Sequence, residues 1–387
     1  MSVSKVILLT NILTPYRKYF YDMLYKAFKE QGISFKVLVT AETEPNRNWT
    51  YSQYKTEYTH LIDGKVFAIS GIYFHINKGV RSILENEDPD VVISAGSYLY
   101  FALWTVLYNK KSIDYKVYYW NESHLNEERN YSYYKLLLRE HIRRYIFKKF
   151  DGFWYAGRLS LQFIMKYAAN ENHKILVPNV IDNVKYNTVL NFDEFKLNNV
   201  RKSYKVDNNK ILLFCPARLT CAKGQMRFLK LLVESEFCDK FTVLLAGDGE
   251  LEADLRNFID NKEKLDIRLL GYVDQTTTID LYSISDYLLL PSLSDPNPLT
   301  CIEALWCGLP LIVSEHVGNH PEVVVNDKNG YVFSYSDEKN FYNIIKKIVS
   351  NSKSWYDVAK MTSLEIANTR FNASDVVSNV VSQIIKI

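Results

Sequence analysis

Short runs of consecutive apolar residues recur along the chain, each stopped by turn formers and followed by a stretch of helical character. In the first half the runs are Val6 to Thr10, Phe35 to Thr40, Val91 to Ala95, Tyr115 to Trp120, Gly152 to Ala156 and Lys174 to Val177. In the second half they are Ile211 to Ala217, Phe241 to Ala246, Ile267 to Leu270, Tyr287 to Leu290 and Leu311 to Ser314. Apolar runs without alternation read as strands buried on both faces, as in parallel sheets covered by helices. Helices are expected over Pro15 to Gln31, from Ala95-Gly96-Ser97-Tyr98 onward, over Tyr131 to Phe150, from Arg158, after Gly224, from Gly247-Asp248-Gly249-Glu250 onward and over Leu299 to Cys307. The alternation predicts the α/β class. The polar segment Asn183 to Asn209 shows neither period and is expected to be a linker, with a domain boundary near residue 182.

At 387 residues the chain is long enough for two domains with separate cores. Its five cysteines, Cys215, Cys221, Cys238, Cys301 and Cys307, form no CxxC pair, which suggests reduced thiols and a cytoplasmic location. Lys5 is followed by a run too short for a signal peptide, and Ser94, Gly96 and Ser97 divide the uncharged stretch Val91 to Asn109 into a strand and a helix, so no membrane span is expected. The net charge of +3 is unevenly spread, the excess of Lys and Arg lying in the first half. Between Tyr131 and Phe150, Lys135, Arg139, Arg143, Arg144, Lys148 and Lys149 face a single acid, Glu140, among tyrosines and leucines. Such a helix can lie on an anionic bilayer or can be a scaffold helix with a basic outer face, and the sequence leaves both readings open.

The densest chemistry lies between Asp286 and Gly330. A strand stops at Pro291, a loop of turn formers carries Asp295, Asn297 and Pro298, a helix starts at Leu299, and Gly308 and Pro310 close it. A loop at the carboxyl end of a parallel strand that opens a helix offers free amides and the positive end of the helix dipole to an anion such as a diphosphate. Glu303, one turn into the helix, can accept hydroxyls. Read alone, the two acids could equally be a solvated loop residue and a helix-surface residue. Upstream, Arg218 and Lys223 follow the strand ending at Ala217 and bring a guanidinium fork and an ammonium to a helix start.

The spacing of Asp295 and Glu303 resembles the acid-x7-acid signature of the retaining glycosyltransferases of family 4. That resemblance implies the GT-B fold: two Rossmann-like domains facing a cleft, the N-terminal one over residues 1–182 and binding the acceptor, the C-terminal one over 183–365 and binding the nucleotide sugar. A C-terminal helix, about 366–387, would cross back to the first domain. It also implies roles. Arg218 and Lys223 would grip the two phosphates, with Asn297, Leu299 and Thr300 forming the rest of the seat and Gly247 beside it. Glu303 would hold the ribose, Tyr272 would lie beside the base and Asp295 would touch the transferred sugar. Glu122 or His124 would stand near the reaction centre, and Tyr16, Arg17 and Ser97 would face the acceptor. Two places depart from the pattern: the first acid is Asp295 where glutamate is usual, and Pro298 replaces a glycine and has no N–H to offer.

The function implied is transfer of a sugar, with retention, from a nucleoside-diphosphate donor, expected to be a UDP-sugar, to a hydroxyl of a glycan or lipid-linked acceptor in surface polysaccharide synthesis. No Asp-x-Asp motif falls where a metal would be expected, so no metal or other cofactor is expected, and neither is a nucleic-acid partner. A location on the inner face of the membrane would follow if the basic helix binds lipid. A sugar-nucleotide epimerase of the same fold and a catalytically silent sugar-nucleotide binder are the alternatives. An NAD-dependent oxidoreductase is disfavoured, since no G-x-G-x-x-G follows the first strand.

Overall fold

In the computed structural model, residues 3–44, 49–69, 72–98, 100–126, 132–260 and 264–387 are described. The chain divides into one unit of Met1–Glu122, Tyr131–Ile181 and Asn372–Ile387, and another of Ser123–Asn130 and Asp182–Phe371.

The first unit is built on β1 (Lys5–Thr10), whose run Val6-Ile7-Leu8-Leu9 is buried on both faces. Val6 and Leu8 join a core with α1 (Pro15–Glu30), while Ile7 and Leu9 join a second core on the opposite face. Thr14 caps α1 by accepting from Arg17 N at 3.4 Å, and Pro15 occupies the first helical turn. There follow β2 (Ser34–Val39), α2 (Tyr51–Tyr54), β3 (Thr59–Leu61), β4 (Gly64–Ile69), β5 (Ile72–Asn77), α3 (Val80–Glu87), β6 (Val91–Ala95), α4 (Phe101–Ile113), β7 (Lys116–Asn121), α5 (Tyr133–Phe147), β8 (Gly152–Tyr155), α6 (Arg158–Tyr167) and β9 (His173–Leu176). The main sheet runs β3-β2-β1-β6-β7-β8-β9, with every pair parallel, and β4 and β5 form a separate antiparallel hairpin. The C-terminal helix, Ala373–Ile385, buries Val377, Val380, Val381 and Ile384 in the α1-side core.

The second unit starts with α7 (Asn183–Asn187) and α8 (Glu194–Ser203), so the segment expected to be a linker is largely helical. Its polar surface hides the period, and single buried apolar residues, Tyr186, Val189 and Val206, anchor it. Then come β10 (Ile211–Pro216), α9 (Gln225–Val233), β11 (Phe241–Ala246), α10 (Glu252–Asp260), β12 (Asp266–Gly271), α11 (Gln275–Ile284), β13 (Tyr287–Leu290), α12 (Leu299–Trp306), β14 (Leu311–Ser314), α13 (His320–Val323), β15 (Gly330–Phe333), α14 (Glu338–Ser350) and α15 (Lys353–Arg370). The sheet order is β12-β11-β10-β13-β14-β15, again parallel throughout. The final helix of the chain is α16.

Three expected boundaries move. The helix after β6 begins at Phe101 rather than at Ala95, because Tyr100 N bonds Ser97 O in a turn that comes first. The helix after Gly247 starts at Glu252, since Leu251 N is taken by Leu219 O. The basic helix is Tyr133–Phe147, and its expected first residue, Tyr131, lies outside the described residues. No helix among the described residues is long and apolar enough to cross a membrane, and the stretch from Val91 to Asn109 is divided between β6 and α4.

Candidate active site

In the second sheet β10 lies between β11 and β13, so the connections leave its two sides in opposite directions and open a crevice at the carboxyl ends of β10 and β13. The loops after these two strands are tied together there. Leu293 N and Ser294 N both donate to Ala222 O, at 2.8 and 3.1 Å, and the buried Tyr335 hydroxyl donates to Pro291 O at 2.6 Å. Gly224 sits at φ +69°, where a Cβ would come within 2.0 Å of Pro291 O, so only glycine allows the loops to approach this closely.

This tie brings Lys223 Nζ onto Asp295 Oδ2 in a direct ion pair, with side chains only 20% and 10% exposed. Asp295 O accepts from Gly318 N at 2.8 Å, and residue 295 makes a parallel bridge with Val317. Gly318 in turn packs so closely that a Cβ there would lie 1.8 Å from Pro296 O and 2.7 Å from His124 Cδ2. His124 is buried and accepts at Nδ1 from Asn126 N at 3.2 Å, which puts the ring proton on Nε2. Lys223, Asp295, Gly318 and His124 therefore form one contiguous group.

Beside it α12 begins. Its N-cap is Pro298 in extended conformation, with no side-chain cap, so the amides of Leu299 and Thr300 are unspent helix-start donors. Among the described residues the buried hydroxyls of Thr300 and Ser292 have no hydrogen-bond partner. Asn319, buried, donates from Nδ2 to Pro298 O at 3.0 Å and holds the loop from behind. At its other end α12 closes on Gly308, at φ +72°, with Gly308 N on Leu305 O and Leu309 N on Ala304 O, both at 2.9 Å.

Glu303, expected to hold the ribose, has a tyrosine donor on each carboxylate oxygen. Oε1 accepts from the Tyr186 hydroxyl at 2.8 Å and Oε2 from the Tyr282 hydroxyl at 2.9 Å. Burial pushes its carboxyl up from the usual range, and the two tyrosines pull it back in part. The remaining expected donor-side residues lie at the rim of the same strand ends. Arg218 is exposed and has no ion-pair partner among the described residues, Gly247 N bonds Gly271 O at 2.7 Å, and Tyr272 is exposed just beyond β12. Asn297 is half-buried on the loop before α12. Sequence reasoning missed Tyr186, Tyr282 and Asn319. No local signal marks them, since each reaches the site from a distant element.

In the first unit Arg17 lies in the first turn of α1. Its guanidinium lies 3.9 Å over the Trp120 ring and 3.0 Å from Glu122, and the side chain is buried. Burial opposes the charge, but Glu122, Tyr16 and Tyr21 together more than offset it and the guanidinium is held above its ordinary range. Arg17 and Glu122 are thus each other's partners, and Glu122 belongs to this unit while His124 belongs to the other. Tyr16 and Ser97 are half-buried at the carboxyl ends of β1 and β6. On α5, Arg143 turns inward, with its guanidinium 4.7 Å over Phe163 and Nε 3.3 Å from the Tyr98 hydroxyl. Lys135, Arg144 and Lys148 stay exposed, and so do Leu136, Leu137, Leu138 and Tyr145, with Tyr133 and Tyr134 69% and 81% exposed. All five cysteines are free. Among the described residues no group of three His, Cys, Asp or Glu side chains is arranged to hold a metal.

Residues 198–362 match the family model of the glycosyl transferases group 1. The chain is 27% identical over 179 residues to UDP-Gal:alpha-D-GlcNAc-diphosphoundecaprenol alpha-1,3-galactosyltransferase of Escherichia coli, 46% of this chain and 45% of that one. It is 28% identical over 174 residues to N-acetyl-alpha-D-glucosaminyl L-malate synthase of Bacillus anthracis, 43% of this chain and 44% of that one. The matched stretch therefore spans about half the length of these curated relatives. Among solved structures, Anabaena HepE in complex with UDP and glucose superimposes with a TM-score of 0.72 at 16% identity, over 99% of this chain and 100% of that one. WaaG, a glycosyltransferase involved in lipopolysaccharide biosynthesis, gives a TM-score of 0.64 at 14% identity, over 99% of each chain. The fold is GT-B. Residues 198–362 of the second unit thus resemble the glycosyl transferases group 1, and the chain is similar to glycosyltransferases of bacterial polysaccharide and glycolipid synthesis.

Proposed function

We propose that the chain is a retaining glycosyltransferase that moves a sugar from a UDP-sugar to a hydroxyl of a glycan or lipid-linked acceptor, with no metal required. The observation that carries this reading is the Lys223–Asp295 pair set against the unspent amides at the start of α12, at the switch point of the second sheet. A diphosphate seated there meets the ammonium and the Leu299 and Thr300 amides, and Arg218 is exposed at the same strand end to reach the other phosphate. Glu303 takes the ribose hydroxyls, Asp295 takes a hydroxyl of the sugar, and His124 lines the sugar side.

In the transfer step the bond from the anomeric carbon to the diphosphate oxygen breaks. The acceptor oxygen attacks the same carbon from the same face, and its proton passes to the departing phosphate. Lys223, Arg218 and the helix-start amides stabilise the charge that develops on that phosphate, which is where fixed donors lower a barrier most. The uridine donor and the lipid-linked acceptor are supported by the name of the Escherichia coli relative, which states both. The exposed leucines and tyrosines of α5 beside Lys135, Arg144 and Lys148 support a resting place on an anionic bilayer, where a lipid-linked acceptor lies. The test is acceptor-dependent release of UDP from UDP-glucose, UDP-galactose and their N-acetyl forms, with EDTA present and the product anomer read by NMR. An inverted anomer, or turnover that needs a divalent ion, overturns the reading.

A further inference from the structure

The mechanism above leaves unused a chain of buried hydroxyls behind Glu303. Tyr186, from α7, and Tyr282, from α11, are both almost wholly buried and each donates to a different oxygen of the carboxylate, at 2.8 and 2.9 Å. Gln275 Nε2 donates to the Tyr186 hydroxyl at 3.2 Å, so donors are oriented in series toward Oε1. Tyr282 is fixed by its edge against Phe214, with ring centroids 5.3 Å apart, and the backbone of Tyr186 by Cys307 Sγ, 3.7 Å from its carbonyl oxygen. Burial drives both phenols far above their ordinary range, so they stay protonated donors across the working pH.

A carboxylate has about four lone-pair sites, two on each oxygen. The tyrosines take one from each, which leaves one on each oxygen and locks the plane in which the two lie. Two acceptors side by side match a vicinal diol that donates once to each. A carboxylate free to rotate would have to be ordered at the moment of binding, which costs affinity.

We infer that Tyr186 and Tyr282 are positioning residues that fix the Glu303 carboxylate to accept the two ribose hydroxyls, and so set selectivity for ribonucleotides over deoxyribonucleotides. This rests on the proposed nucleotide-sugar site. The measurement is isothermal titration of the whole chain with UDP and 2′-deoxy-UDP, repeated with the ADP and GDP pairs, for wild type, Tyr186→Phe, Tyr282→Phe and the double variant. A hydroxyl donated to a charged acceptor is worth roughly tenfold or more in affinity, so the wild type prefers the ribonucleotide by about that ratio. Each phenylalanine reduces the preference severalfold and the double variant brings it near unity, mainly by weakening the ribonucleotide. A purely structural pair would lower the melting temperature and leave the ratio intact, and that result overturns the inference. Gln275→Ala, at an exposed position, is the second variant: it reduces the ratio about twofold, and if the buried variants do not fold, an unchanged ratio in Gln275→Ala overturns the inference instead. A wild-type ratio near one, or no binding of any of the three ribonucleotides, overturns the site reading itself and is distinguishable from failure of the tyrosines alone.

Discussion

The ion pair between Lys223 and Asp295 makes stability and catalysis separable in a way that single substitutions can read. Two unit charges in an ion pair attract by roughly 4 kcal/mol at an effective dielectric of about 20, and part of this is returned as desolvation. With side chains 20% and 10% exposed, the partners differ in what is left behind when one is removed. Lys223→Met strands a carboxylate that water barely reaches, at a cost of about 3 kcal/mol, the lower end for a broken buried pair. Asp295→Asn strands an ammonium that water reaches better, and should cost about 1 kcal/mol. For a unit the size of the second one, each kcal/mol moves the midpoint by about 2–4 °C, so Lys223→Met should lower that transition by roughly 6–12 °C and Asp295→Asn by a third as much. The double variant should recover about 2 kcal/mol relative to the sum. The nucleotide adds a second signature: freed from Asp295, Lys223 turns wholly to the diphosphate, so Asp295→Asn should bind UDP severalfold tighter while transfer falls. Calorimetric unfolding and UDP titration on the four proteins are the assays. Additivity within about 0.5 kcal/mol, or unchanged UDP affinity in Asp295→Asn, would refute the coupling.

Other outcomes follow from the same geometry. Glu303 is held above its unfolded range, so the folded state binds the extra proton and stability falls as pH rises from the ordinary carboxyl range through the raised folded value; Glu303→Gln removes that slope and should melt higher at neutral pH while losing nucleotide affinity, checked by melting curves across pH. Gly318→Ala sets a Cβ against Pro296 O and the His124 ring and should cost about 3 kcal/mol, with transfer lost in whatever remains folded. Lys135 and Arg144 of α5 and its C-cap Lys148, changed together to Glu, should abolish sedimentation with anionic vesicles, each basic residue being worth about 1 kcal/mol at such a surface; Arg143→Glu should instead lower the melting temperature, since Arg143 packs on Phe163 and the Tyr98 hydroxyl.

The parallel strands were legible because burial on both faces leaves an unbroken apolar run, as in Val6 to Leu9 and Tyr287 to Leu290. The loops that carry Lys223 and Asp295 were legible for the same reason, since they start where those runs stop. The β4–β5 hairpin was not, because Gly64, Lys65, His75 and Asn77 break the apolar runs of its two strands. Nor were the partners of Glu303: Tyr186 lies 117 positions away and Tyr282 21, and no periodicity relates residues across that distance. The partners of Arg17 were hidden for a different reason. Its position after Pro15 at a helix start fits an exposed residue, and only the sheet brings Trp120 and Glu122 under and beside it.

The two departures at the acid pair act together. A proline where a glycine is usual would be damaging if that residue needed a positive φ or its own amide, but Pro298 stands at φ −67° and ψ 130°, its preferred region, and serves as N-cap. The donors begin one residue later, and Asn319 binds the Pro298 carbonyl so that the loop is fixed without the lost N–H. A rigid loop in turn suits a short acid. Aspartate reaches less far than glutamate, and here its carboxylate is met by Lys223, which the Gly224–Pro291 contact brings across from the neighbouring strand. The bridge to Val317 and the Gly318 bond hold the backbone of Asp295 at the same place. If this coupling is real, Asp295→Glu alone should be poorly tolerated, because the added methylene meets a loop that cannot retreat, whereas Asp295→Glu combined with Pro298→Gly should regain transfer, measured as acceptor-dependent UDP release. Equal activity of the single and double variants would mean that the proline and the short acid are independent.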